Sequence, residues 1–165
     1  MASLKSKYPL VIGQNELALR TKCSPIDNIT PNIRKLAKAM EELVHEYDGV
    51  WLAAPQIGVT IRLIATTQWK IVRDDYKLKS TIMMINPEIT AHSDATATDE
   101  EWCLSLPLIF WQVERYKQIT VQYTTLDGKS ESKQLSWLDA VIVQHEIDHL
   151  DGILFIDKAS DIRHE

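Results

Sequence analysis

The chain is poor in cysteine: Cys23 and Cys103 are the only two in 165 residues. A pair so far apart in a chain of this length excludes a disulfide scaffold and points to a reducing compartment. The cytoplasm is therefore expected, with a removed organellar address left open. Basic residues are also short. Lys plus Arg number 18 against 23 Asp plus Glu, a formal charge of −5. No basic run supplies the surface that phosphate binding requires, so nucleic acid is not an expected ligand. No apolar stretch reaches membrane-spanning length, and no membrane role is expected. Met1 to Leu10 carries two lysines but no apolar signal core, which speaks against secretion. There is no internal repeat and no low-complexity tract.

What remains is the composition of a globular protein, 45% hydrophobic and 25% charged. Residues 1–165 are read as one domain, long enough to bury a core. Residues 1–29 look irregular. Thr30-Pro31 pairs a good N-cap with a favoured first helical residue. Ile33, Leu36, Ala37, Met40, Leu43, Val44 and Tyr47 then form a one-sided stripe at helical spacing. Asp48-Gly49 is expected to end that helix. Ile61 to Thr66, Ile82 to Asn86 and Ile119 to Tyr123 read as strands. Asp127-Gly128 marks a turn that lets the third of these pair near Ser132 to Leu135. Asp74 to Lys79 is expected as a loop or hairpin tip, and Asp94 to Glu101 as an acidic loop. A last helix is expected from Ser136, with Asp139 completing a capping box and Gly152 closing it. Trp137, Leu138, Ala140, Val141, Ile142 and Val143 make its first half apolar on nearly every side, as in a buried central helix. Helix, strands and helix without βαβ alternation make the class α+β.

That last helix carries His145-Glu146-Ile147-Asp148-His149. Histidines at i and i+4 lie one turn apart on one face, roughly 6 Å along the axis, and can share a metal ion. Glu146, between them, can reach a water on that metal. A catalytic site needs a third ligand and an open position. Candidates are Cys103, Cys23 or a distant Asp, Glu or His. Thiolate is a strong ligand for Zn²⁺ or Fe²⁺, while a buried cysteine can equally be a small apolar core residue. A third segment, Gly49 to Gly58, has small residues and the single amide of Gln56. It is either a loop that aims this amide at a ligand or a plain helix-to-strand connection.

Three segments, Gly49-Val50-x-Leu52-Ala53-Ala54-Pro55-Gln56, Glu101-x-Cys103-Leu104-Ser105 and Gln144-His145-Glu146-x-Asp148-His149-Leu150, together resemble the three motifs of the peptide deformylases, in order and approximate spacing. The likeness extends over most of the chain, including Leu17 to Arg20 and Asp127-Gly128. It implies a fold of short antiparallel or mixed sheets around a central buried helix bearing the histidines. It implies Cys103, His145 and His149 as ligands of one divalent ion, Fe²⁺ by preference, with Zn²⁺, Ni²⁺ or Co²⁺ able to take the site. It further implies removal of formyl from nascent N-formylmethionyl peptides, with the ribosome as the expected meeting place and formate as product. Glu146 would move the proton, while the Gln56 amide and the Leu104 N–H would stabilise the charge on the formyl oxygen. Val50, Trp51, Leu52 and Trp102 would face the substrate.

Two positions depart from the pattern. Trp51 and Trp102 stand where the motifs ordinarily have glycine, which lets a substrate backbone come close. Two indoles there imply a reshaped mouth, a narrowed cleft or a stacking platform, unless both rings simply face solvent or a neighbouring pocket. A metal-retaining paralogue with a binding or regulatory role is thus the alternative. An endopeptidase sharing only the histidine motif would leave the cysteine and glutamine segments unexplained.

Overall fold

The computed structural model describes residues 4–47, 51–72 and 75–159, with the side chains of 68–80 left aside. Two single-turn helices, α1 (Leu4–Lys7) and α2 (Leu17–Arg20), interrupt the N-terminal stretch expected to be irregular. The long helix α3 spans Pro31–Glu46. Its cap is the expected one: Thr30 Oγ1 accepts from the Ile33 N–H at 3.3 Å. The expected stop at Asp48-Gly49 lies outside the described residues.

Five strands form one antiparallel sheet in the order β1-β2-β3-β6-β7: β1 (Trp51–Ala53), β2 (Leu63–Val72), β3 (Asp75–His92), β6 (Gln118–Thr124) and β7 (Ser130–Ser136). A separate hairpin pairs β4 (Thr96–Cys103) with β5 (Leu106–Tyr116). Among the described residues every strand pairing is antiparallel, and the one parallel contact is an isolated bridge between Ser24 and Ile61. The strands expected at Ile82 to Asn86 and Ile119 to Tyr123 fall inside β3 and β6, the one expected from Ile61 joins the sheet only at Leu63, where β2 begins, and Gly128 turns β6 into β7 at φ 81°.

Strand alternation explains how the large sheet is buried on both faces. Leu52, Leu63 and Ala65 pack with the α3 stripe of Leu36, Met40 and Leu43. Ala53, Ile64, Met84 and Val121 face the other way, onto helix α4 (Leu138–Leu150) through Ala140, Val143 and Leu150. The helix that carries the histidines is therefore wrapped between the sheet and the β4–β5 hairpin. A third cluster joins that hairpin to the C-terminal turn through Cys103, Leu106, Val113, Leu154 and Phe155.

Three expectations need correction. Asp94 to Glu101 is not a loop: all but its first two residues are in β4, and its acidic side chains are mostly exposed on a two-stranded hairpin. Threonine suits such a surface, and only Glu101 and Cys103 turn fully inward at the i, i+2 spacing. Asp74 to Lys79 belongs largely to strand, because β2 and β3 pair out to Val72 and Asp75. The start of α4 has no capping box. Trp137 occupies the cap position at φ 55° and ψ −130° with no side-chain bond, and both Trp137 and Leu138 are exposed. The apolar character read there serves burial only from Ala140 onward. Among the described residues, no helix is long and apolar enough to cross a membrane.

Candidate metal centre

Helix α4 brings His145 and His149 to one side, one turn apart, with ring centroids 5.0 Å from each other. Cys103, at the inner end of β4, meets them: its Sγ lies 3.3 Å from His149 Nε2. One donor atom from each of Cys103, His145 and His149 falls within 4.8 Å of the other two. Of the two cysteines, it is Cys103 that joins the histidines. Cys23 sits in the core cluster behind α4, where burial raises its thiol to about 11.

A layer of charge fixes the first histidine. Glu101 Oε2 lies 2.8 Å from His145 Nδ1. The Arg115 guanidinium grips Glu101 through two bonds of 2.7 and 3.0 Å and reaches Asp148 Oδ2 at 2.5 Å. Lys158 closes the chain on Asp148 Oδ1 at 2.7 Å. Burial alone would raise the Glu101 carboxyl, but the bonds from His145 and Arg115 outweigh it and bring it to about 2. Glu101 is thus an acceptor, His145 Nδ1 carries the hydrogen, and Nε2 keeps its lone pair for a metal.

The inner side chains fit a cation. His145 Nε2, His149 Nδ1 and both carboxyl oxygens of Glu146 are buried with no hydrogen-bond partner, an arrangement that is costly for a site meant to stay apolar. Burial, then the charges of Glu101 and Asp148, push the Glu146 carboxyl well above its ordinary range. Burial, then the proximity of His145 and Arg115, push His149 well below its own, which keeps it a neutral donor. Burial and then Glu146 lift the Cys103 thiol to about 12. The imidazoles of His145 and His149 and a thiol that needs a nearby positive charge to ionise are the donor set of a borderline divalent ion.

Gln56 lies in the single 3-10 turn Ala54–Ile57 that follows β1. Its Oε1 accepts from the Ala53 N–H at 2.9 Å, which aims Nε2 at Cys103 Sγ (3.4 Å) and Ser105 Oγ (3.3 Å). Leu104 is half-buried in the tight turn between β4 and β5, next to the sulfur. Leu52 is fully buried against α3, so its side chain faces the core and not the mouth. Val50 lies outside the described residues. Trp51 and Trp102 do not point apart: their ring centroids are 6.2 Å from each other.

Sequence reasoning gave no role to Arg115, Ser105 or Gln144. Gln144 clamps β5 to α4 by exchanging bonds with the Tyr116 backbone, Oε1 at 3.1 Å and Nε2 at 2.9 Å. Arg115 had one available signal. It alternates with Val113 on a strand, so it shares the inward face and needs a buried carboxylate partner.

The family described as polypeptide deformylase matches residues 8–165 of this chain. The peptide deformylase of Bradyrhizobium diazoefficiens is 39% identical over 156 residues, 94% of this chain and 88% of that one. A peptide deformylase from Rhodopseudomonas palustris (strain TIE-1) is 42% identical over 146 residues, 88% of this chain and 82% of that one. Among solved structures, the peptide deformylase of Thermotoga maritima superimposes with a TM-score of 0.81 at 35% identity, covering 93% of this chain and 97% of that one. A class I type b peptide deformylase from Acinetobacter baumannii, bound to Met-Ala-Ser, gives 0.82 at 34% identity, covering 91% and 96%.

Proposed function

The chain belongs to the polypeptide deformylase family, and from that premise we propose that it is a metal-dependent hydrolase releasing formate from N-formylmethionyl peptides. The observation that carries this reading is the meeting of Cys103, His145 and His149 donor atoms within 4.8 Å, beside the unpartnered Glu146 carboxyl. Residues 1–165 act as one catalytic unit. Cys103, His145 and His149 hold one divalent ion, Fe²⁺ by preference over Zn²⁺, Ni²⁺ or Co²⁺. Such an ion supplies a nucleophile at neutral pH by acidifying water.

The chain's own groups do the rest. Gln56 Nε2, held by the Ala53 N–H bond to its other end, donates to the formyl oxygen as negative charge builds there. The Leu104 N–H donates from the turn between β4 and β5. A preorganised donor of this kind lowers the barrier by roughly 3 kcal/mol. Glu146 Oε takes the proton from the attacking water and returns it to the leaving amine. The C–O bond forms first, as charge moves onto the formyl oxygen; the C–N bond then breaks as that charge returns and the amine takes the proton, leaving formate and a free α-amine. The elevated affinity of Glu146 for a proton suits a group that must hold one between the two halves of the reaction. Arg115 and Glu101 touch no substrate. They hold His145 in one tautomer and one orientation.

Nascent formylmethionyl chains are the proposed substrates, met at or near the ribosome in the cytoplasm. The free cysteines support a reducing compartment such as the cytoplasm. Anaerobic reconstitution with Fe²⁺ or Ni²⁺, then formate detection on a panel of formyl-peptides, tests the reading. Glu146→Ala should lower turnover by roughly 100-fold or more with metal content nearly intact. Retained turnover in that variant would remove Glu146 from the chemistry. Full metal content with no formate from any formylated compound would favour a binding or regulatory role instead.

A further inference from the structure

Trp51 opens β1 at the edge of the large sheet, and Trp102 immediately precedes Cys103 on the separate hairpin. Their centroids are 6.2 Å apart with planes tilted by 45°, which is direct aromatic contact. Cys103, Gln56, Glu146 and His149 are at most 2% exposed, whereas Trp102 is 42% exposed and Trp51 is half-buried. The indoles therefore lie outside the buried donor cluster, with Trp102 one residue from Cys103. They do not clamp a flat ligand. A ring sandwiched between two others needs about 7 Å, twice the ~3.5 Å contact distance. The contact is a closed bridge between two sheets.

We infer that Trp51 and Trp102 are specificity-determining residues that obstruct extended formyl-peptides more than short formylated compounds. The inference deepens the function proposed above and rests on it. β1 ends the sheet order, so its outer edge faces no strand among the described residues. An extended peptide gains affinity by pairing its backbone with such an edge. Here it meets the Trp51 ring at the start of that edge and the Trp102 ring across from it. A substrate that ends one residue after the formyl group has little chain to pass between them. A longer one must part the rings, losing their contact and forcing both into new rotamers.

The experiment compares kcat/KM for formyl-Met amide and formyl-Met-Ala-Ser in the wild type, Trp51→Gly, Trp102→Gly and the double variant. Each single variant should raise the tripeptide-to-amide ratio by roughly threefold to tenfold. The double variant should add little to the better single, because either change removes the same contact. Calorimetric titration of Met-Ala-Ser into the metal-free proteins supplies a second readout, with binding tightened in each glycine variant. Circular dichroism melts show which variants are folded. Folded glycine variants with an unchanged ratio and an unchanged Met-Ala-Ser affinity overturn the inference. Failure of every protein to release formate from either compound counts against the proposed function, and the titration then decides the role of the indoles by itself.

Discussion

Trp137 holds its backbone at φ 55° and ψ −130°, a region essentially reserved for glycine, and its ring is 70% exposed. Leu108 sits at φ 66° and is 92% exposed. Neither side chain recovers through packing the strain that its Cβ imposes, roughly 1–2 kcal/mol per residue. Trp137→Gly and Leu108→Gly should each stabilise the fold by about 1 kcal/mol, after allowing for the greater freedom of glycine in the unfolded chain. Urea unfolding measures this, and a loss of stability at either position would contradict it. At this scale the sequence is most legible where chemistry restricts residue type. His145, His149, Glu146 and Cys103 announce themselves because few side chains can bind a metal or shuttle a proton. Arg115 did not, because an arginine in a strand reads as a surface residue until its partners Glu101 and Asp148, remote in sequence, are seen around it.

The β4–β5 hairpin owes its position to that arginine. It touches α4 through Arg115 with Asp148 and through Gln144 with the Tyr116 backbone. Arg115→Met should cost about 3 kcal/mol, because it takes the guanidinium from two buried carboxylates and leaves Glu101 with His145 alone and Asp148 with Lys158 alone. It should also weaken metal binding by freeing Glu101 and, through it, His145. Thermal melts and metal titration of the variant check both effects, and an unchanged metal affinity would detach the ion-pair layer from the site. The hairpin is also where element prediction fell short. Its first strand spends most of its side chains on solvent, so the alternation that reveals a half-buried strand is missing from Thr96 to Glu100. Helix α3 was legible to its cap because its stripe faces one side only. The first turn of α4 was not, since apolar residues there turned out to face solvent.

Across the whole molecule, the buried charges make stability depend on pH in opposing directions. Glu101 falls from an ordinary 4.5 to about 2 on folding. Its contribution is complete above the unfolded value and fades as the pH drops toward about 2. Glu146 is raised, so in the metal-free protein its contribution is present in acid and is lost as the pH climbs above the ordinary carboxyl range. Glu101→Gln should therefore flatten the acid decline of the metal-free protein between about pH 6 and about pH 2.5. Glu146→Gln should raise its stability near neutrality. Urea midpoints across that range read both slopes, and parallel curves for wild type and Glu101→Gln would refute the linkage.

The turn at Trp137 has a consequence for the gene. Its backbone is one that glycine alone finds comfortable, while Trp51 and Trp102 stand where the likeness to the deformylase motifs leads one to expect glycine, so three of the five tryptophans share that character. A host whose translation apparatus inserts glycine at these codons would make, from the same message, a catalyst with a relaxed turn and an unblocked doorway. Peptide mass spectrometry of the protein isolated from its native cells would read which residue the ribosome placed there.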